Sequence, residues 1–416
     1  MNIYAIIILA ALLFDYLLNL TADYLNLSSL KKELPKEFEG VYDEEEYKRS
    51  QEYTRERTRF GFISSTFSLL LILAFWFSGG FNYLDQIVRD WELGVIPTGI
   101  FYIGILMLAQ TILSLPFSLY STFVIEEKYG FNKTTPATFA TDMVKGLLLS
   151  ALLGLPLLAG IIWFFTFAGP YAWLYAWSAA TAFILVIQFI APTWIMPLFN
   201  KFSPLKDGEL KKAILDYAKS VDFPLNDVYE IDGSKRSTKS NAFFTGFGKN
   251  KRIALFDTLI EKHTVPELVS VLAHEIGHYK KKHIQKSMVI SILHMGVMFG
   301  LLQVFLTSQG LFDAFYMEQA SVYAGLIFFG MLFAPIEMFL SIFMQMFSRK
   351  NEFEADRFAA ETTGDPETMV RVLKKLSKDN LSNLTPHWFH VFINYSHPPV
   401  LERIAAIREY SGKNAP

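Results

Sequence analysis

The residues best suited to catalysis lie between Val271 and His283, in the stretch VLAHEIGHYKKKH. His274 and His278 are four residues apart, so on a helix they share one face and can bind the same metal ion. Glu275 is turned about 100° away from His274, so its carboxylate can act on a water molecule without being a ligand. Gly277 leaves room for another segment to approach. H-E-x-x-H thus predicts a catalytic zinc site, and the alternative is a basic surface helix with solvent-facing histidines.

A third protein ligand is needed, because catalytic zinc usually has three and leaves one position open. The chain has no cysteine, so histidine and carboxylate side chains must supply the ligands. NEFEAD at 351–356 places Glu352 and Asp356 on one helix face and turns Glu354 away from them. We expect Glu352 to be the ligand and Asp356 to support a ligand histidine. An exposed acidic helix would show the same pair.

The rest of the chain has the composition of a membrane protein. Its 416 residues are 52% hydrophobic and only 19% charged, and the net charge of −2 gives no sign of nucleic-acid binding. Seven stretches reach the roughly 20 apolar residues that cross a bilayer. The spans are expected at 3–20, 61–78, 95–124, 146–168, 172–199, 287–308 and 322–347. The third and fifth are over-long and contain prolines, which predicts tilt, kinks or extension beyond the membrane.

Loop charge predicts the orientation of these spans. Lys and Arg number eight in 21–59, one in 79–94, three in 125–145, sixteen in 200–286 and none in 309–321. The turn after the fourth span has none either. Because cytoplasmic loops are enriched in Lys and Arg, the alternation predicts an N-terminus outside and a C-terminus in the cytoplasm.

The segment 200–286 has the pattern of a folded unit. ELKKAILDYAKSV predicts an amphipathic helix, DVYEID a strand, and NAFFTGFGKNKRIALFD a β-hairpin joined through Gly-Lys-Asn. The HEIGH sequence follows on a further helix, with His278 nine residues before the sixth span, about 13 Å of helix. Glu352 follows the seventh span. Because a short external loop joins these two spans, both ligand sets should meet at the cytoplasmic mouth of one transmembrane hairpin.

Other polar residues have less specific interpretations. Four lie within spans and are expected either to form hydrogen bonds between helices or to line an internal chamber: Asp15, His294, Glu337 and Gln345. His263 and His283 are expected to be solvent-exposed, and no metal role is assigned to His387 or His390. The lysines at 280–282 are expected to mark the membrane surface.

Several stretches resemble the type I CAAX prenyl proteases, integral-membrane zinc metalloproteases with seven transmembrane helices. They are YGFNKTTPATFATD (129–142), NAFFTGFG (241–248), KRIALFDTLI (251–260), HEIGH, EFEAD and YSHPPVLERI (395–404). The resemblance covers most of the chain. HEIGH and EFEAD are shared with a wider set of membrane zinc proteases. The segments 129–142 and 395–404 resemble the type I CAAX prenyl proteases more specifically.

The resemblance implies that the helices enclose a water-filled chamber faced by the zinc site. It implies zinc ligands His274, His278 and Glu352, with Glu275 as the catalytic base. It further implies that an edge strand with Asn241 and Ala242 pairs with the substrate backbone. By the same resemblance, His397 of the HPP segment stabilises the oxyanion, and Arg403 nearby is a further catalytic residue.

The fold expected is an all-α polytopic membrane protein whose seven helices enclose a chamber, with a small α/β cytoplasmic protease portion. Its expected divisions are 1–200 (spans one to five), 201–286 (protease segment), 287–348 (spans six and seven) and 349–416 (C-terminal protease segment).

The expected function is zinc-dependent endoproteolysis. By resemblance it removes the last three residues of prenylated CAAX peptides, so the expected partners are a lipidated or membrane-associated peptide and membrane lipid. Rival functions are a quality-control membrane protease, an intramembrane site-two-type protease and a non-catalytic transporter or receptor. The lack of cysteine and the C-terminal EYSGKNAP favour a bacterial inner membrane, with the endoplasmic reticulum as the alternative.

Overall fold

The computed structural model describes residues 1–225, 227–245 and 252–413. In this part of the chain seven helices are long and apolar enough to cross a membrane, which confirms the predicted number. They are Ile3–Ser28 (α1), Glu44–Phe77 (α2), Val95–Tyr120 (α4), Pro136–Phe167 (α5), Ala172–Ile190 (α6), His283–Phe305 (α10) and Val322–Thr363 (α12). Shorter helices are Gly80–Arg89 (α3), Glu209–Ser220 (α7), Asp257–Lys262 (α8), Val265–Lys280 (α9), Gln309–Asp313 (α11), Pro366–Asp379 (α13), Trp388–Asn394 (α14) and Val400–Lys413 (α15).

The two over-long spans change their helical geometry, as their prolines predict. α4 contains Pro116 and continues as a π-helical segment, Ser121–Glu126. α6 continues into a second π-helical segment, Ala191–Ile195, which begins beside Pro192. Proline lacks the backbone N–H that an α-helix needs, so the hydrogen-bond pattern must shift near it.

The buried residues of the spans gather at one end of the bundle. They come from the start of α1, the end of α2, the start of α4, the end of α5, the start of α6, the end of α10 and the start of α12. The largest of them include Trp76, Tyr102, Tyr323 and Phe328, and Phe315 from the loop after α11 packs with them. Successive helices therefore alternate in direction, and they converge at the end predicted to face outside.

Elsewhere the spans are loosely packed. Only 6–17% of the residues in their most apolar stretches are buried within the protein. Helices that face lipid on one side and an open interior on the other bury few residues, whereas a solid bundle buries many. The opposite end of the bundle adjoins a cavity of about 890 Å³.

The soluble portion contains a four-stranded sheet in the order β1-β2-β4-β3. Its strands are Phe202–Pro204 (β1), Asp227–Ile231 (β2), Ala242–Thr245 (β3) and Arg252–Phe256 (β4). β2 and β4 are parallel, and the other two pairings are antiparallel. The predicted helix, strand and hairpin are confirmed, while the Gly-Lys-Asn connection lies outside the described residues. β3 is an edge strand of the sheet.

Two apolar cores join the soluble elements. In the first, Leu272 and Ile276 of α9 pack with Ile253 and Leu255 of β4 and with Val372 of α13. The second brings in the first loop of the chain and the start of α2, where the buried aromatic residues Phe38 and Tyr42 of the loop and Tyr47 of α2 pack against α13 and α15. The protease portion is therefore assembled from both sides of the sixth and seventh spans, and the loop after the first span covers it.

Candidate active site

The helix that carries HEIGH begins at a capping box. The Thr264 side chain accepts a hydrogen bond from the backbone of Glu267, and the Thr264 N–H donates to Glu267 Oε2 at 2.9 Å. T-x-x-E before an apolar run is a sequence signature of a helix start. The sequence predicts that this helix continues into the sixth span, but it does not. α9 ends at Lys280, and Lys282 adopts a left-handed conformation with φ 59°.

The third candidate ligand reaches the site on an unusually long helix. α12 has 42 residues, which makes it about 63 Å long, roughly twice the thickness of a bilayer core. Its first part can cross the membrane while its last turns, with Glu352 and Asp356, extend into the soluble portion. The predicted position of Glu352 just beyond the seventh span follows from this length.

α9 and α12 approach each other closely at Gly277. A Cβ atom at this position would lie 3.1 Å from Ala355 Cα and 3.2 Å from both Ala355 O and Phe358 Cβ. Such distances are shorter than an ordinary side-chain contact. The expectation that Gly277 admits another segment is confirmed, and that segment is α12.

This approach brings His274, His278 and Glu352 together, with one ligand atom from each within 4.8 Å of the others. The two Nε2 atoms of the histidines are 3.1 Å apart. Glu352 Oε1 lies 3.2 Å from His278 Nε2, and Glu352 Oε2 lies 3.4 Å from His274 Nε2.

These residues fit a metal ion. Ligands at about 2.1 Å from a shared tetrahedral ion lie roughly 3.4 Å from one another, which is close to the separations found. In the described part of the chain, Oε2 of Glu352 is buried without a hydrogen-bond partner. Burial would lower the pKa of His274, but the carboxylates of Asp356 and Glu352 raise it to about 9. The site therefore favours positive charge, which a metal ion would supply.

His274 is held from behind by a buried ion pair. Its Nδ1 lies 2.9 Å from Asp356 Oδ1, and Asp356 is fully buried. Arg403 donates two hydrogen bonds to Asp356, at 2.6 and 2.7 Å, and its Nη1 lies 3.6 Å from Glu352 Oε2. Asp356 thus contacts His274, one of the two histidines predicted to be ligands. Arg403 therefore holds the carboxylates of Asp356 and Glu352, so its guanidinium is not a free hydrogen-bond donor.

Glu275 faces the cavity of about 890 Å³. It lies next to the candidate metal-binding cluster, which is formed by His274, His278 and Glu352. Burial raises the pKa of its carboxyl above the ordinary value, and the nearby His274 and His278 oppose that effect. A carboxylate with a raised pKa accepts a proton more readily, which suits a general base.

His397, Asn241 and Ala242 line the same cavity. His397 is 63% exposed, and its Nε2 lies 3.4 Å from Glu352 Oε1. Partial desolvation within the open cavity lowers the pKa of His397, which favours the neutral ring. Ala242 begins the edge strand β3, whose partner is β4. Seven of the nine site residues predicted from the sequence thus line this cavity. His278 borders a different cavity, and Asp356 is buried behind His274.

Two sequence-based expectations about histidines are wrong. His263 is 7% exposed and His283 is 3% exposed. His263 packs at the end of α8, where its Nδ1 lies 3.2 Å from Leu259 O. His283 lies against His278, a contact that we missed because the break between α9 and α10 has no clear sequence signal.

Two of the four polar residues within the spans form the expected contact between helices. His294 of α10 and Glu337 of α12 form a contact between helices, with Nε2 and Oε1 3.1 Å apart. Glu337 and Asp15 also line a cavity of about 400 Å³ between α1 and α12.

Two family models together match most of the chain. A model described as the CAAX prenyl protease N-terminal part, with five membrane helices, matches residues 23–201. A model described as peptidase family M48 matches residues 204–411.

Similarity to individual proteins extends over nearly the whole chain. A CAAX prenyl protease 1 homolog of Oryza sativa subsp. japonica is 41% identical, with 91% of each chain covered. CAAX prenyl protease 1 of Saccharomyces cerevisiae is 34% identical, with 94% of this chain and 91% of the yeast protein covered. The crystal structure of S. mikatae Ste24p superposes with a TM-score of 0.88 at 34% identity, covering 98% of this chain and 99% of that one. The chain is therefore a polytopic membrane metalloendopeptidase that belongs to the CAAX prenyl protease 1 family.

Proposed function

We propose that the metal is zinc, held by His274, His278 and Glu352. Two imidazole nitrogens and one carboxylate form a common protein ligand set of catalytic zinc. The observation that carries the proposal is the convergence of these three side chains, two of which, His274 and Glu352, line the same cavity as Glu275. Asp356 is proposed to orient His274 through its Nδ1.

In the proposed mechanism the chain's own residues position the peptide and move the proton. Zinc, when bound, supplies Lewis-acid polarisation of the scissile carbonyl and makes water a better nucleophile. Glu275 takes a proton from the attacking water and delivers it to the amine that leaves. His397 lies on the cavity wall beside Glu352 and is proposed to stabilise charge on the carbonyl oxygen. Arg403 is proposed to act by holding Asp356 and Glu352 in place.

The proposed substrate is a C-terminal peptide with a prenylated cysteine, from which the last three residues are removed. The relatives of this chain are named CAAX prenyl proteases. An edge strand has unpaired backbone groups that can pair with an extended peptide, and Asn241 and Ala242 provide it here. The cavity extends to Tyr53, Thr54 and Arg57 of α2. A peptide attached to a membrane lipid can therefore reach it without leaving the bilayer surface.

The protease portion is proposed to face the cytoplasm, with the N-terminus outside. This orientation rests on the alternating Lys and Arg numbers of the loops.

We propose that 1–200 forms a membrane unit and that 201–286 and 349–416 form one protease unit around the hairpin 287–348. The packing of α9 against α12 supports this. The membrane is proposed to be that of a bacterial cell or of the endoplasmic reticulum, and the eukaryotic source of the relatives quoted above favours the latter.

The test is hydrolysis of a synthetic farnesylated CAAX peptide by the purified chain in detergent, with products identified by mass spectrometry. We expect release of the last three residues, one zinc per chain, and loss of hydrolysis in Glu275→Gln. The matched control is Glu261→Gln, which changes an exposed glutamate outside the cavity.

Two results would contradict the proposal. A purified protein without zinc would exclude the proposed metal. Equal cleavage of farnesylated and unmodified peptides at many positions would replace CAAX processing with general degradation of membrane proteins.

A further inference from the structure

A second buried histidine lies behind His278, on the side away from Glu352. The His283 side chain is 3% exposed, and its Nδ1 is 3.1 Å from Nδ1 of His278. On its other side, His283 Nε2 is 3.2 Å from Oε2 of Glu354. We propose that His283 is a positioning residue that fixes the ring of His278 for metal binding, and that Glu354 holds His283. This inference rests on the proposed role of His278 as a metal ligand.

The break between α9 and α10 makes this contact possible. Residues five apart on a continuous helix differ in direction by about 140°, so their rings would not face each other. Lys282 has φ 59° and interrupts the helix, and α10 then begins at His283. The ring of His283 is thereby turned back towards His278.

One arrangement of protons satisfies all three groups. A histidine that binds a metal through Nε2 carries its proton on Nδ1. His278 then donates from Nδ1 to Nδ1 of His283. His283 must in turn carry its own proton on Nε2, from which it donates to Glu354. The carboxylate thus sets the tautomer of His283, and His283 sets that of His278.

The two ligand histidines are therefore supported differently. Asp356 contacts His274 directly, whereas Glu354 reaches His278 through a second imidazole. His278 also borders a second cavity of about 660 Å³ between α6, α10 and α12, which His283 lines as well. Since packing on that side is incomplete, the hydrogen bond that His278 donates to His283 is what restrains the ring of His278.

The test measures the affinity of the full-length protein in detergent for Zn²⁺ alone, by competition with a chromophoric chelator. His283→Leu removes the acceptor, and we expect zinc affinity to fall about 10- to 100-fold, as is usual when the partner of a ligand histidine is lost. His283→Asn keeps an amide oxygen near the position of Nδ1 and should recover most of the affinity. Glu354→Ala should give a smaller loss than His283→Leu.

The matched control is His263→Leu, which changes another buried histidine of the soluble portion that contacts Leu259 instead of the metal cluster. It should leave zinc affinity unchanged. The Co²⁺-substituted protein gives a second readout, because its visible absorption reports ligand geometry. We expect the spectrum to change in His283→Leu and to be the same in His263→Leu and in the unmodified protein.

Wild-type affinity in His283→Leu, or an equal loss in His263→Leu, would overturn the inference. If His283→Leu does not fold, the comparison of His283→Asn with Glu354→Ala decides, and equal wild-type affinity in both would overturn it. Failure of the unmodified protein to bind zinc would instead overturn the proposed function. Because zinc affinity needs no peptide, failure of the CAAX substrate proposal would leave this test intact.

Discussion

At the scale of single residues, the site combines a charged framework with one carboxylate that is left for proton transfer. Asp356 and Arg403 neutralise each other behind His274, and Glu352 completes the cluster. Glu275 lines the cavity of about 890 Å³ together with His274, Glu352 and Arg403. Its carboxylate is thereby available to a substrate.

Glu275→Gln tests this separation of roles. The amide cannot take a proton from water, so kcat/KM for the farnesylated peptide should fall roughly 10²- to 10⁴-fold. Bound zinc, measured by atomic absorption, should remain at the wild-type level because Glu275 is not among the proposed ligands. A variant with wild-type activity, or one that loses its zinc, would contradict this assignment.

The raised pKa of Glu275 also predicts a dependence on pH. A general base is active when deprotonated, so kcat/KM should fall as the pH drops through the pKa of this group. Because burial raises that pKa above its ordinary value of 4.5, the decline should begin at a higher pH. Measuring bound zinc in the same samples separates protonation of Glu275 from metal loss. Unchanged activity down to pH 4.5 with zinc bound would exclude the prediction.

The residues of the site were largely predictable because H-E-x-x-H and EFEAD have spacings that one helix face imposes. His283 was not predictable. Its contact with His278 depends on a left-handed residue, Lys282, and nothing in the residue types at 280–283 demands such a conformation. A positive φ is uncommon in residues other than glycine, lysine included.

At the scale of elements, the close packing of α9 on α12 assembles the site. The two helices carry the three proposed ligands, and Gly277 lets their backbones approach. α12 is long enough to leave the membrane and still reach α9.

Gly277→Leu should therefore separate Glu352 from the two histidines. The added side chain meets backbone and Cβ atoms of α12 that cannot move aside, and overpacking of this kind costs about 1–3 kcal/mol. We expect a lower melting temperature and weaker zinc binding. Gly154→Leu is the control, because a Cβ atom there has no neighbour within 4 Å among the described residues. Unchanged zinc affinity in Gly277→Leu would show that the approach of the helices does not determine the site.

At the scale of the whole molecule, seven helices converge at one end, and a protease portion adjoins the other. The first loop, through Phe38 and Tyr42, and the start of α2, through Tyr47, pack on the protease portion and connect it to the first two spans. The cavity with the metal-ligating cluster lies where these parts meet.

The proposed orientation can be tested by single cysteines, since the natural chain has none. Lys206→Cys and Gln319→Cys change exposed residues of the soluble portion and of the loop between α10 and α12. In intact cells or sealed vesicles of native orientation, a membrane-impermeant maleimide should label only the cysteine on the outer side. We expect that to be Gln319→Cys, with Lys206→Cys labelled after permeabilisation. The cysteine-free protein is the control, and the reverse pattern would contradict the orientation.

The sequence alone determined the seven spans, the helix and hairpin of the soluble segment, and the residues of the candidate metal-binding cluster, because each depends on local periodicity or spacing. Only the tertiary structure decided how far α12 extends beyond the membrane, that the first loop covers the protease portion, and that Arg403 is bound to Asp356. It also decided that His283 lies behind His278. These features depend on contacts between residues far apart in the chain or on one backbone conformation, which residue type and periodicity do not specify.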